Sequence, residues 1–342
     1  CSLVGSEMCI RDSYMTNHQD LIFVPEVELR DNQRMAEENP VRVEVERAVA
    51  KVVVSGVPEV VPHGDRIDNL KWGLDVTNMY TYWMRKMTFI ANSGGVPNEM
   101  EQLNAGYREE RYAEDPNFTR FSSWNGGNPV GQFEYLSGTP ELSKNFDDYD
   151  YTLENTMDAA DQRHDVTTRV VISGTYTPNG FGSVATRNGG GISFYYFKGN
   201  AIRVEAMRDM VNDRGQIPQE LRDAGLEQAI ENVLAWNPNA FNSPTVSFSE
   251  GGIHFYYQGV CYYTVLIRHF SNNMVPVLMG YGRYGVVRNN VYQLSINKII
   301  GPGQPVINPP GTDPDDEDTS WISADVNIMR WYIRNQNVEE LL

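Results

Sequence analysis

Asn290-Val291-Tyr292-Gln293-Leu294-Ser295-Ile296-Asn297-Lys298-Ile299 decides the fold class. Tyr292, Leu294 and Ile296 alternate with Gln293, Ser295 and Asn297, the period-two pattern of a half-buried strand. Similar runs lie upstream. Val43 and Val45 alternate with Glu44 and Glu46, and Val49 then takes the opposite parity, which predicts a strand with a bulge near Arg47-Ala48. Further strands are expected at 70–76, 166–176, 192–197, 252–256 and 261–269. Many short strands with long connections predict a mainly β chain built as an antiparallel β-sandwich.

Composition agrees. Of 342 residues, 41% are hydrophobic, with 19 Tyr, 13 Phe and 6 Trp, enough for a strand-rich core. The net charge of −17 sets aside nucleic acid and anionic membranes as partners. No apolar run reaches the length of a membrane span.

Between the strands lie two other textures. Residues 88–165 are rich in Gly, Asn, Asp and Pro and predict long loops with short hidden elements. Residues 200–235 carry helix signals. Asn200 is placed to cap Ala201–Asn212, Pro218 opens a second segment, and Leu226, Ile230 and Val233 follow at helical spacing. This small helical insertion decorates the surface or covers a sheet edge.

After Ile300 the composition changes. Residues 301–320 are rich in Pro, Gly and Asp and predict an extended linker held off the protein by charge, roughly 60 Å long if fully drawn out. One more strand pattern follows at 321–342. Ala324, Val326 and Ile328 form one face, and the phase slips near Met329-Arg330. Trp331 and Ile333 continue on the other parity, and Val338 and Leu341 close the chain. A lone strand cannot satisfy its own backbone, so it must pair with its own sandwich or with another molecule.

Chemistry is sparse. His18, His63, His164, His254 and His269 are scattered without metal-ligand spacing. Cys261 sits in a strand-like run as a small buried hydrophobe. Asp313, Asp315, Asp316, Glu317 and Asp318 lack the spacing of a calcium loop and read as solvated linker, as does Asp147-Asp148-Tyr149-Asp150. Gly189-Gly190-Gly191 reads as a turn. No catalytic residue, cofactor site or metal site is assigned. An acidic cleft with two close carboxylates would be needed to revive a carbohydrate-active enzyme.

Three segments resemble the Mfa-type fimbrilins, the minor-fimbrium subunits of Bacteroidetes type V pili. Val43-Glu44-Val45-Glu46-Arg47-Ala48-Val49-Ala50-Lys51 is similar to the family's V-x-V-E-R-[AS]-V-A-[KR] strand. Val286-Val287-Arg288-Asn289-Asn290-Val291-Tyr292 is similar to its V-V-R-N-N-x-Y motif. Residues 323–333, with Val338 and Leu341, resemble its terminal x-V-x-V-x-P-W-x-V strand followed by V-[DE]-L. Arg330 stands where the family usually has Pro, and an extra Glu precedes Leu341.

The resemblance implies transthyretin-like sandwich domains, export as a lipoprotein and removal of an N-terminal strand after an Arg. The vacated groove would take the C-terminal strand of the next subunit by β-augmentation. Such a head-to-tail contact does not close and makes a filament. The expected organisation is a non-native, adapter-like segment at 1–13 and a remnant of an N-terminal fimbrilin domain at 14–41. The sandwich follows at 42–300, the linker at 301–320 and the donor strand at 321–342. Cys1 as a lipidated first residue is the alternative reading of the start.

The polymerisation strand is Ala324, Val326, Ile328, Trp331, Ile333, Val338 and Leu341. The expected partners are other fimbrial subunits, in a head-to-tail homopolymer or as accessory pilins, at an outer-membrane-anchored fimbrium. The alternative is a tip or accessory adhesin that grips a glycan or a host or bacterial surface protein through aromatic loops at 107–150.

Overall fold

The computed structural model describes residues 15–17, 33–38, 45–84, 86, 113–118, 131–182, 191–269, 282–315 and 322–330. Strand β1 (Met15–Asn17) and the exposed helix α1 (Gln33–Glu38) come first. They are followed by β2 (Val45–Arg47), β3 (Val49–Ser55), β4 (Glu59–Val61), β5 (Arg66–Asp75), β6 (Thr77–Asn78), β7 (Phe133–Glu134), β8 (Tyr149–Leu153) and β9 (Arg169–Thr177). Next are β10 (Phe194–Phe197), β11 (Asn200–Arg203), α2 (Val204–Asn212), α3 (Gln219–Asp223) and α4 (Leu226–Trp236). The described chain ends with β12 (Phe248–Glu250), β13 (Ile253–Tyr256), β14 (Val260–Leu266), β15 (Asn290–Ile300) and β16 (Ile322–Arg330).

The protein is mainly β. One sheet runs β16-β15-β3-β8, with β4 also on β15, and a second runs β14-β9-β5. Their inner faces share one core. Ala50, Val52, Val54, Tyr292, Leu294 and Ile296 come from the first sheet; Trp72, Val170, Ile172, Cys261 and Tyr263 come from the second. The expected alternation is present in β15, where Tyr292, Leu294 and Ile296 are all fully buried. Its pairings are mixed: antiparallel to β16 but parallel to β3 and β4.

The chain slips phase where the backbone must. The Arg47-Ala48 slip is a break between β2, which pairs β1, and β3, which pairs β8 and β15. In β15 the register against β16 shifts between Ile296 and Lys298, and the next fully buried residue is Ile299, on the other parity. One extra residue carries the following side chains to the opposite face. At the same place the partner changes from β3 to β4. Gly56 makes that change with φ 113° while lying on the Ile296 carbonyl; a Cβ there would stand 2.5 Å from the oxygen.

A third sheet, β11-β10-β13-β12, joins the sandwich to the helices. Its side chains alternate between two cores. Phe194 and Tyr256, stacked at 4.7 Å, face the sandwich. Tyr195 and Phe255 face α2 and α4, with Met207, Leu226, Ile230 and Val233. The helical insertion is therefore not an edge cover; it closes a face of its own sheet with a second core.

Two expectations change locally. Asn200 does not cap a helix. Lys198 and Gly199 both have positive φ, 42° and 87°, and make a tight hairpin turn, so Asn200–Arg203 pairs with β10. The helix starts only at Val204. Asp147-Asp148-Tyr149-Asp150 is not solvated linker. Asp147 takes a positive φ, its N–H donates to the Val54 carbonyl at 2.7 Å, and β8 then pairs with β3. The Tyr149 ring, with the Lys51 Nζ 4.2 Å from its centroid, covers that strand's outer side.

Candidate assembly edge

Among the described residues β16 is an edge strand in the order of its sheet and pairs with β15. Ala324 stands opposite Ile296, Val326 opposite Leu294 and Ile328 opposite Tyr292. Directly opposed residues of an antiparallel pair share a sheet face. The three positions thus occupy the register of the fully buried row of β15. Val326 is partly buried and packs against the sandwich core. The pairing reaches Arg330 opposite Asn290 without a slip at Met329-Arg330; the irregularity lies at the other end, beside Ile296. Trp331, Ile333, Val338 and Leu341 lie outside the described residues.

The approach to β16 differs from the expected tether. Residues 301–315 are not held off the protein but laid onto it. Tyr262 and Gln304 exchange two backbone hydrogen bonds, each 2.8 Å. Gly138 and Ile307 exchange another two, at 2.8 and 2.7 Å. The Tyr263 hydroxyl donates to the Gly301 carbonyl and the Tyr256 hydroxyl to that of Gly303, at 2.8 and 2.6 Å. Gly303, at φ 58°, lies so close to the Tyr262 carbonyl that a side chain there would collide with it. Asp315 is buried, and its Oδ2 accepts from Thr167 Oγ1 at 2.6 Å. Proline and glycine here let a bare backbone lie flat on a sheet and bond to it, which composition alone reads as a linker.

β15 is entered through a polar corner. Arg288 is fully buried and pairs with the equally buried Glu154, Nε to Oε2 at 3.1 Å. Its Nη2 donates to the Tyr82 carbonyl at 2.7 Å and to Thr81 Oγ1 at 3.1 Å. Asn289 turns the chain at φ 62°, its N–H donating to the Val49 carbonyl at 2.9 Å. The V-V-R-N-N motif is therefore structural. Nearby, Asp115 accepts the Thr156 N–H at 2.6 Å, and burial pushes its carboxyl up to about 7, helped by the Glu154 charge and opposed by its backbone hydrogen bonds. Asp75, also buried, holds Arg169 at 2.7 Å. None of these carboxylates had a sequence signal, because Asp115, Asp75 and Glu154 meet Thr156, Arg169 and Arg288 only through the fold.

Cys261 is buried, and burial raises its thiol to about 12, which leaves it an inert core residue. His254 bonds Ser249 at 2.8 Å and is held below its ordinary value by burial, while His269 bonds the Tyr292 hydroxyl at 2.7 Å. Among the described residues no group of three or more His, Cys, Asp or Glu is placed to hold a metal ion. No described helix is long and apolar enough to cross a membrane. Gly189 and Gly190 lie outside the described residues.

Residues 254–337 match the family model of the major fimbrial subunit protein type IV, fimbrillin, C-terminal. That stretch of the chain is similar to a fimbrillin C-terminal region. The matched stretch of this fimbrillin-like chain takes in β13 from His254, β14, the Arg288 corner, β15, the laid-down segment and β16.

Three solved structures are similar. A fimbrilin from Porphyromonas gingivalis W83 is 14% identical, with 86% of this chain and 61% of that chain covered and a TM-score of 0.38. Two candidate cell adhesion proteins from Parabacteroides distasonis ATCC 8503 are 14% and 12% identical, with TM-scores of 0.30 and 0.34. They cover 84% and 86% of this chain, and 53% and 62% of theirs. The fimbrillin-like chain thus spans between about half and three-fifths of their lengths. Likenesses at these scores decide nothing about the fold, which rests on the strands and cores above. No curated protein matches the chain.

Proposed function

We propose that the chain is a structural subunit of a cell-surface fimbria and assembles by passing its terminal strand to the next subunit. The observation that carries this is the coincidence of the fimbrillin C-terminal match with a last strand that lies at a sheet edge. Such a strand makes its described main-chain pairing on one side, and those bonds can be remade on any equivalent edge. Val326 supplies an apolar anchor on the core side. The proposed donor set is Ala324, Val326, Ile328, Trp331, Ile333, Val338 and Leu341, in a head-to-tail polymer anchored at the outer membrane after lipoprotein export. No catalytic role is proposed. An excess of a synthetic peptide of residues 321–342 should shorten the polymer by capping acceptor edges; unchanged polymer length would overturn the reading.

An adhesin role gains support from a second loop besides the one expected. Within 107–150 the described Phe118 and Phe133 are buried, while Tyr149 is 37% exposed. The loop pinned beneath by Arg288 also carries Trp83, 67% exposed, and Tyr80, 48% exposed. Loss of cell binding on Trp83→Ala with normal polymer yield would favour this reading; unchanged binding would remove it.

A further inference from the structure

Which part of the C-terminal region moves when the strand changes partners follows from where its bonds go. The described anchors of residues 301–315 are the carbonyls of Val61, Gly138, Gln162 and Tyr262, the N–H groups of Gly138, Tyr262 and His164, and the hydroxyls of Tyr256, Tyr263 and Thr167. All of them lie outside β16. Ile307 adds an apolar anchor, buried with Val171 and Tyr262 on the outer side of the β14-β9-β5 sheet. Among the described residues β16 pairs with β15. Taking β16 away therefore breaks none of these bonds. Each bond adds a modest net stabilisation, and together they are not lost for want of the strand.

We propose that residues 301–315 are a fixed strap that stays on its own sandwich while β16 passes to a second copy of the chain. This rests on the assembly reading above. The strand then departs from Asp315, not from Ile300. Seven residue steps separate Asp315 from Ile322, a reach of no more than roughly 25 Å. Donor and acceptor sandwiches must accordingly sit side by side, and the filament cannot be a string of subunits on long tethers. Gln304, Ile307 and Asp315, with Tyr256 and Tyr263 beneath them, are the positioning residues.

Native-state hydrogen exchange on the unmodified chain tests this. Local openings should release the β16 amides while the Gln304 and Ile307 amides stay protected, exchanging at least about tenfold more slowly. Equal rates for strap and strand would mean that they lift together and would overturn the proposal. Val326→Asp gives a second arm. It should speed β16 exchange more than about tenfold and leave Gln304 and Ile307 within about twofold of the parent; matching acceleration in the strap would also overturn it. A failed polymer-capping experiment would sink the assembly reading and leave this exchange result standing, so the two failures are distinguishable.

Discussion

Val326 stands directly opposite Leu294, the one partly buried and the other wholly buried, and both touch the core between the two sheets. That pair is the point at which the terminal strand is read by the sandwich. A charge at 326 would have to be desolvated against Leu294. Val326→Asp is therefore expected to unseat β16 and weaken assembly, with a cost of roughly 1–3 kcal/mol in seating. Native exchange and polymer yield check it. An unchanged yield would show that 326 does not face the acceptor.

Arg288→Leu should destabilise the chain by about 3–5 kcal/mol at neutral pH, because Glu154 would be left charged and buried without its partner. Chemical denaturation measures the loss. The double change with Glu154→Leu should recover much of it, since both charges then leave the interior together. A single change that costs nothing would mean that the corner is wetter than the structure has it.

Asp115 sets a pH dependence with a definite sign. Its folded carboxyl is raised from the ordinary 3.8 to about 7, so between those values the folded chain holds the proton more tightly. Its contribution to stability is largest below the unfolded value and declines as pH rises toward 7, by on the order of 4 kcal/mol at most. Asp115→Asn should flatten the stability profile between pH 4 and 7. A profile as steep as the parent's would assign the slope to other groups.

Tyr263→Phe leaves the Gly301 carbonyl without its buried hydroxyl donor and should cost about 1–3 kcal/mol, loosening the strap's first residues. Faster amide exchange at 301–304, with β10 and β13 unchanged, would carry the point. Uniform loss across the sandwich would make Tyr263 a general core residue.

Much of the fold was legible in single stretches. The alternation of β15, the break at Arg47-Ala48 and the helical spacing of Leu226, Ile230 and Val233 are local patterns, and local physics decides them. What stayed hidden depends on distant partners. β8 begins inside Asp147–Asp150 because β3 offers it an edge. The strap reads as a linker because its anchors, Tyr256, Tyr262 and Tyr263, lie roughly forty residues upstream. Arg288 reads as part of a motif, but only the fold brings it to Glu154. The parity of Ala324, Val326 and Ile328 was visible in the sequence; the register that sets them opposite Ile296, Leu294 and Tyr292 was not.

The most direct measurement deletes residues 323–342 from the subunit in the cell that expresses it and quantifies surface polymer alongside the amount of folded, exported subunit. The account predicts normal export with polymer reduced at least about tenfold, since the donor strand is gone and the sandwich keeps its strap and both cores. Polymer at the parental level from the truncated subunit would contradict it.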